Sequence, residues 1–353
     1  MSLIKIDNLK KHYKVLNRRE GLGGAFKDLF SGNYRTVKAV DDISLSIDSG
    51  EMVAFLGPNG AGKSTAIKMM VGALKPTSGD IIVDGFEPFK DRKDYVQNIG
   101  VVLGQRPLLW WDIPVIESFK ILKKIYRVND ADYQRNIDLY HSITNLDGIL
   151  NMPVRNLSLG QRSLCNILAV FLHNPKVIFL DEPTIGLDVA IKLKMRELIK
   201  ALNKTYNTTV ILTSHDVGDV ESLCDRISLI DKGHILFDDS IENFHKYFND
   251  KRTIRVKVDA DSIDSSSAGE QGLLSSYAKS LESKINQTLR LENGVKTSLS
   301  PDGWLDVSFS EDETDVMSVL NCIMAEASVS DVKLNDTNME ELMRRSYESF
   351  SPS

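Results

Sequence analysis

Cysteine is scarce in this chain. Cys165, Cys224 and Cys322 are an odd number and far apart, so they form neither a disulfide framework nor a zinc site, and a reducing cytoplasm is the simplest setting. Long apolar runs are missing as well. The best stretch, Ile167 to Leu180, is broken by His173, Asn174, Pro175 and Lys176. No window reaches the ~18 uninterrupted apolar residues that a membrane helix needs. The N-terminus, MSLIKIDNLKK, has no signal-peptide apolar core. Neither charge dominates: 43 Lys and Arg face 49 Asp and Glu, a net charge of −6, which gives no general attraction to nucleic acid. With 42% apolar and 26% charged residues, composition is ordinary for a globular chain and excludes wholesale disorder or a collagen-like repeat. A length of 353 residues suits about two domains.

What is present reads first as alternating strands and helices over residues 1–239. Short apolar runs at Met52–Leu56, Ile99–Leu103, Val177–Leu180 and Val210–Thr213 lie between longer helical patterns. Nearly continuous apolar strands suit a mostly parallel sheet buried on both faces, hence an α/β fold. A linker helix is expected at 240–252, and 260–272 is polar and structure-poor. From residue 253 to 353 a second pattern runs. Ile254, Val256 and Val258 alternate as a strand; Tyr277, Leu281, Ile285 and Leu289 stripe a helix. Val295, Thr297 and Leu299 make a second strand, Pro301-Asp302-Gly303 a turn, and Leu305, Val307 and Phe309 a third strand. Val316, Val319, Leu320, Ile323 and Met324 stripe a helix, and Val332 and Leu334 mark a last strand. The order β-α-β-β-α-β predicts a small α+β, ferredoxin-like domain. A final helix is expected at about Asn338–Glu348. This tail holds no catalytic constellation; it reads as a structural, interaction or ligand-sensing module.

The chemistry is carried by the first region. Gly57-Pro58-Asn59-Gly60-Ala61-Gly62-Lys63-Ser64 fits G-x-x-x-x-G-K-S/T, after a strand-like run and before a helix-like one from Thr65. That context is what a phosphate-binding P-loop requires. Its glycines turn backbone N–H groups toward phosphate oxygens, Lys63 reaches the β- and γ-phosphates, and the Ser64 hydroxyl ligates Mg²⁺. Val177-Ile178-Phe179-Leu180-Asp181-Glu182 is an apolar strand ending in two carboxylates. Asp181 is assigned to Mg²⁺ binding. Side chains alternate along a strand, so Glu182 points the other way and is free to polarise a water.

Leu157-Ser158-Leu159-Gly160-Gln161-Arg162 closely resembles the LSGGQ signature of ATP-binding-cassette ATPases, and it precedes the acidic strand end, the order that family uses. Gln105 resembles the Q-loop glutamine, Pro183-Thr184-Ile185-Gly186-Leu187-Asp188 the D-loop, and Thr213-Ser214-His215 the switch-histidine segment. Six ordered motifs over about 1–240 carry the resemblance. Leu159 departs from it, standing where the family usually has glycine, while Ser158 and Gly160 keep the residues of close backbone approach. Taken singly, Ser158 reads as a helix N-cap, a role compatible with binding phosphate.

The resemblance implies a P-loop ATPase with a mostly parallel core sheet, an antiparallel β subdomain and a helical subdomain. It implies ATP and Mg²⁺ as ligands, with Ser64, Gln105 and Asp181 toward the metal and Glu182, His215 and Gln105 as the catalytic set. The nucleotide would lie on Gly57 to Thr65, with Ser158, Gly160, Gln161 and Asp188 contributing across a head-to-tail homodimer. An aromatic side chain stacks on adenine; Tyr13 is favoured, and Tyr34 fits if an insertion at about 16–36 is ignored. That insertion carries Arg18 and Arg19, then Phe26, Leu29 and Phe30 at helical spacing. It is either a surface loop or a short amphipathic helix near a membrane or permease. Trp110-Trp111 follows the Q-loop and is either partly core or an exposed partner patch. Within the family, the chain most resembles ATP-binding subunits of bacterial drug exporters, viologen- and daunorubicin-type among them. The expectation is a peripheral ATPase on the cytoplasmic face of a bacterial membrane, powering export through a separate permease, with no nucleic-acid partner. Importer subunits and soluble ABC ATPases outside transport are the alternatives.

Overall fold

The computed structural model describes residues 2–16, 34–104, 107–144, 146, 148–248, 252–258, 270–291, 294–300, 304–310, 313–335, 339, 342, 343 and 346. Gln105, insertion residues 17–33, residues 260–269 of the polar stretch, the Pro301-Asp302-Gly303 turn and most of the expected last helix lie outside the described residues. The end of that stretch, Glu270 to Gly272, is helical rather than structure-poor, because it forms the first turn of the helix whose apolar stripe follows. The chain divides into two units, Met1–Ile241 and Glu242–Ser353.

The first unit opens with a long antiparallel hairpin, β1 (Ser2–Leu16) and β2 (Tyr34–Asp48). Its ladder runs from Ser2 opposite Asp48 to Leu16 opposite Tyr34. The edges of the expected insertion, Leu16 and Tyr34 to Thr36, are therefore strand: backbone pairing carries the hairpin beyond the apolar positions that mark a strand in sequence. β4 (Ser78–Val83) joins β1, giving the sheet order β2-β1-β4. Alternation along these strands buries Ile4, Ile6, Ile43, Leu45, Ile47, Ile81 and Val83 in one core with the main sheet.

The main sheet starts with β3 (Met52–Leu56) and continues with β5 (Ile99–Leu103), β6 (Val177–Asp181), β7 (Thr209–Thr213), β8 (Arg226–Asp231) and β9 (His234–Ser240). Its order is β5-β6-β7-β3-β8-β9, with only β9 antiparallel. Every residue of β3 and β7 is buried, as expected where helices cover both faces. The helices are α1 (Lys63–Met70), α2 (Arg92–Tyr95), α3 (Val115–Ile125), α4 (Asp130–Ile143), α5 (Leu159–Phe171), α6 (Val189–Tyr206) and α7 (Val217–Leu223). Because β6, β7 and β3 are neighbours, the loops leaving their carboxyl ends meet. Those loops carry Glu182, His215 and the P-loop. A ligand crevice at the carboxyl ends of the strands is the general property of open parallel sheets.

The second unit begins with α8 (Ile241–Phe248) at its edge, followed by β10 (Arg252–Val258), α9 (Glu270–Leu289), β11 (Lys296–Leu299), β12 (Leu305–Phe309), α10 (Val316–Glu326) and β13 (Val329–Asn335). The linker helix is shorter than the expected 240–252, because Arg252 already pairs with Phe309 in the sheet. The four strands are antiparallel in the order β11-β12-β10-β13. Ile254, Val256, Leu305, Val307 and Phe309 pack with Leu281 and Ile285 of α9 and Val319 and Ile323 of α10. The alternate positions of β10 and β12 pair polar groups instead: Arg255 Nε donates to Asp306 at 2.8 Å, and Thr253 and Ser308 share a hydroxyl hydrogen bond of 2.7 Å. One face is thus apolar against the helices and the other polar. Among the described residues, no helix is long and apolar enough to cross a membrane.

Candidate functional site

The P-loop leaves the carboxyl end of β3 and enters α1. Gly62 has φ 111°, and a side chain there would place its Cβ 2.4 Å from the Ala39 carbonyl oxygen. Only glycine satisfies both constraints. At Gly57 a Cβ would sit 2.2 Å from the Ile230 carbonyl oxygen, so the loop is also pressed against β8. The first-turn N–H groups of α1 have no side-chain cap and are open to an anion. Lys63 is folded over this loop, its Nζ donating to the Gly57 carbonyl at 2.5 Å and the Pro58 carbonyl at 3.1 Å. Burial lowers its pKa, and the nearby charges of Glu182 and Asp181 oppose that fall.

A cleft of about 280 Å³ is lined by Pro58 to Thr65, Ala39, Asp181, Glu182 and His215. Three separate loops therefore supply one pocket. Asp181, the last residue of β6, accepts a hydrogen bond from Thr213 Oγ1 at 2.6 Å. Glu182 corrects the expectation from strand alternation. Its φ is 54°, so the backbone has left the strand, and both carboxylates line the same cleft. The Glu182 N–H donates to the Thr213 carbonyl at 3.0 Å, which anchors this left-handed residue. Its carboxylate accepts from the His215 N–H at 3.3 Å and lies 3.4 Å from His215 Nε2. Burial pushes the Glu182 carboxyl up; His215 is the chief opposing influence.

Other predicted residues stand elsewhere. Ser158, Gly160 and Gln161 do not line this cleft. They form the start of α5, where Ser158 Oγ accepts from the Gln161 N–H at 3.2 Å and the Gln161 side chain accepts from the Ser158 N–H at 3.0 Å. This reciprocal capping box leaves the helix N-terminus presented outward, with Leu159 exposed. Gly160 is buried, and a Cβ there would meet Ile191 at 2.9 Å. Asp188 caps α6, accepting from the Ile191 N–H at 3.0 Å. Tyr13 sits opposite Val37 in the hairpin, with Lys11 Nζ 5.2 Å from its ring centre. Tyr34 lies at the far end of that ladder. Both tyrosines are exposed, and neither lines the cleft. Trp110 and Trp111 are 41% and 47% exposed rather than core, and the Arg162 guanidinium lies 4.4 Å over Trp111. Sequence reasoning missed Ala39, which lines the cleft, and the part of Thr213 in holding Asp181; Thr213 lies inside the motif naming His215.

The family model described as "ABC transporter" matches residues 40–185. The chain is 33% identical over 217 residues to the ABC transporter ATP-binding protein NatA of Bacillus subtilis, covering 62% of this chain and 88% of NatA. The chain belongs to the ABC transporter ATP-binding proteins. It is likewise 31% identical over 291 residues to the bacitracin transport ATP-binding protein BcrA of Bacillus licheniformis, covering 79% and 90% of the two chains. Among solved structures, cbiO1 of Clostridium perfringens, part of the ABC transporter complex cbiONQ, aligns at TM-score 0.56 and 26% identity, over 69% of this chain and 91% of that one. A dimeric post-hydrolysis state of the ATP-binding cassette MJ0796, bound to ADP and Pi, aligns at TM-score 0.53 and 25% identity, over 67% and 98%. As an ABC ATPase, the chain binds and hydrolyses ATP.

Proposed function

We propose that two copies of this chain pack head to tail around ATP and drive export through a separate membrane permease. The observation that carries this reading is a division within one chain. The P-loop, Asp181, Glu182 and His215 share a cleft, while Ser158, Gly160 and Gln161 stand outside it on an outward-facing helix N-terminus. A second copy would bring its signature to the open side, where N–H groups favour the γ-phosphate. Only while that phosphate is intact would both surfaces share a ligand.

In this reading the P-loop N–H groups and Lys63 hold the phosphates, Lys63 exchanging its two carbonyl partners for phosphate oxygens. Ser64 and Asp181 are hard oxygen donors in one cleft and suit Mg²⁺, which neutralises developing phosphate charge when bound. Among the described residues, no cluster of three acidic, His or Cys side chains could hold a metal alone; Mg²⁺ in such sites rests on one or two protein oxygens plus the nucleotide. Gln105 is assigned to the same metal through its motif. Glu182 takes a proton from the attacking water, and His215 contacts the γ-phosphate end. Tyr13 stacks on adenine. The tail 253–353 is an accessory domain.

Trp111, Leu159 and Ile185 line a mixed groove of about 140 Å³ together with Arg162, Asn166 and Glu182, the last of which it shares with the P-loop cleft. The exposed Trp110 and Trp111 beside it offer an aromatic surface suited to a permease segment. The match to BcrA spans more of the chain than the first unit alone, which favours a transport subunit with an accessory tail. Export follows from the drug-exporter resemblance, and the site would be peripheral on the cytoplasmic face of the membrane. The test is affinity purification of the tagged chain from detergent-solubilised membranes. A polytopic membrane protein should co-purify and alter the ATPase rate; recovery of the chain alone would contradict the reading.

A further inference from the structure

Asp219 on α7 is a carboxylate with no solvent exposure, outside the cleft that holds the nucleotide motifs. A buried charge of this kind survives only when paired and hydrogen-bonded. Its oxygens accept from Thr184 Oγ1, from Ser214 Oγ at 2.9 Å and from Arg196 Nε at 2.7 Å. Thr184 stands two residues after Glu182. Ser214 stands immediately before His215. One carboxylate therefore ties together the two loops that carry the hydrolytic pair.

The surrounding groups fix this tie in place. The Arg196 guanidinium, on α6, also donates to Asp216 at 3.0 Å, and Lys192 pairs with the same carboxylate. Asp216 N–H donates to Ser214 Oγ at 3.0 Å. Ser214 thus accepts from one side of His215 and donates to the helix beneath it. Above the tie, contact is looser: Glu182 and His215 Nε2 are 3.4 Å apart, and the His215 side chain is 57% exposed. Their relative placement is set from below.

We infer that Asp219 is the positioning residue that sets Glu182 against His215 for the hydrolytic step. It acts through the Thr184 and Ser214 hydroxyls and touches neither nucleotide nor reacting atoms. A carboxylate only accepts and each hydroxyl must donate to it, so each bond has one direction and one geometry. The inference rests on the proposed roles of Glu182 and His215.

The test measures kcat and KM for ATP on the full chain. Asp219→Asn would leave Arg196 facing a buried neutral amide and can unfold the protein, so the hydroxyl variants carry the experiment. Thr184→Val and Ser214→Ala should lower kcat by roughly 10–100-fold, the cost of a misplaced catalytic group, with KM for ATP unchanged. Thr184→Ser keeps the hydroxyl and should restore wild-type turnover. In a His215→Ala background, the further loss from Ser214→Ala should largely vanish, because both changes disable one unit. Wild-type kcat in Thr184→Val and Ser214→Ala, with Glu182→Gln slow, would overturn the positioning role alone. So would losses that add fully to His215→Ala, or that track thermal stability and survive in Thr184→Ser. Wild-type turnover in Glu182→Gln would overturn the catalytic reading beneath it.

Discussion

Glu182 shows how one backbone angle changes the chemistry of a residue. With φ at 54° its side chain joins Asp181 in the cleft, where burial raises its pKa above the ordinary 4.5. As the proposed base it must be ionised. Turnover should therefore rise with pH along an acid limb lying above the ordinary carboxylate range, and Glu182→Gln should be slower by roughly 10²–10⁴ and lack that limb. A pH profile of kcat for both proteins checks this. The sign for stability is opposite: the unfolded carboxyl ionises first, so this group's contribution is present at low pH and is lost as pH rises through its folded pKa. Lys63 is the complementary case. Its ammonium now rests on the Gly57 and Pro58 carbonyls, and phosphates would take their place. Lys63→Ala should weaken ATP binding by roughly 10–100-fold, the worth of a charged hydrogen-bonding partner; calorimetry showing unchanged affinity would refute that role. Lys63, Ser64 and Asp181 were legible as residues because their types and order are tied to the chemistry. The turn at Glu182 was not, since a residue leaving its strand with positive φ has no sequence mark when it is not glycine.

Elements were legible where apolar periodicity set them. The fully buried β3 and β7 and the striped α9 and α10 follow from the spacing of Val, Ile, Leu and Phe alone. The extension of β1 and β2 through Leu16 and Tyr34 was hidden, because those positions are held by backbone pairing and their side chains are largely exposed. The end of α5 carries a second unmarked feature. His173 follows this helix, stacks on Tyr126 with ring centres 3.9 Å apart and donates through Nε2 to the Ile99 carbonyl at 3.0 Å. Burial pulls its pKa down to about 4, against the carbonyl bond, which favours the charged ring. The unfolded ring titrates near 6.5. Stability from the neutral ring is thus complete above about pH 6.5 and is lost as pH falls toward 4. Thermal melts should show a drop between pH 7 and 5. His173→Phe should lower stability at both values but shrink the difference between them. An unchanged pH difference would exclude His173 as its source.

At the scale of the molecule, the parallel sheet gathers three loops at the ends of β3, β6 and β7, and the motifs lie on those loops. Every ATP motif precedes Ile241, and the second unit has its own core around Ile254, Val307 and Leu281. A chain ending at Ile241 is therefore expected to unfold cooperatively and to bind ATP as the full chain does; a melt without a cooperative transition would mean that the two units share one folding core. Among the described residues, Ser158 is not part of the cleft that holds the P-loop. The most direct measurement is the solution mass of Glu182→Gln by light scattering, with and without Mg-ATP. The head-to-tail account predicts monomer mass without nucleotide and dimer mass with ATP, and a shift of that change to higher ATP concentration when Lys63→Ala is added. A mass that stays monomeric in saturating ATP would contradict it.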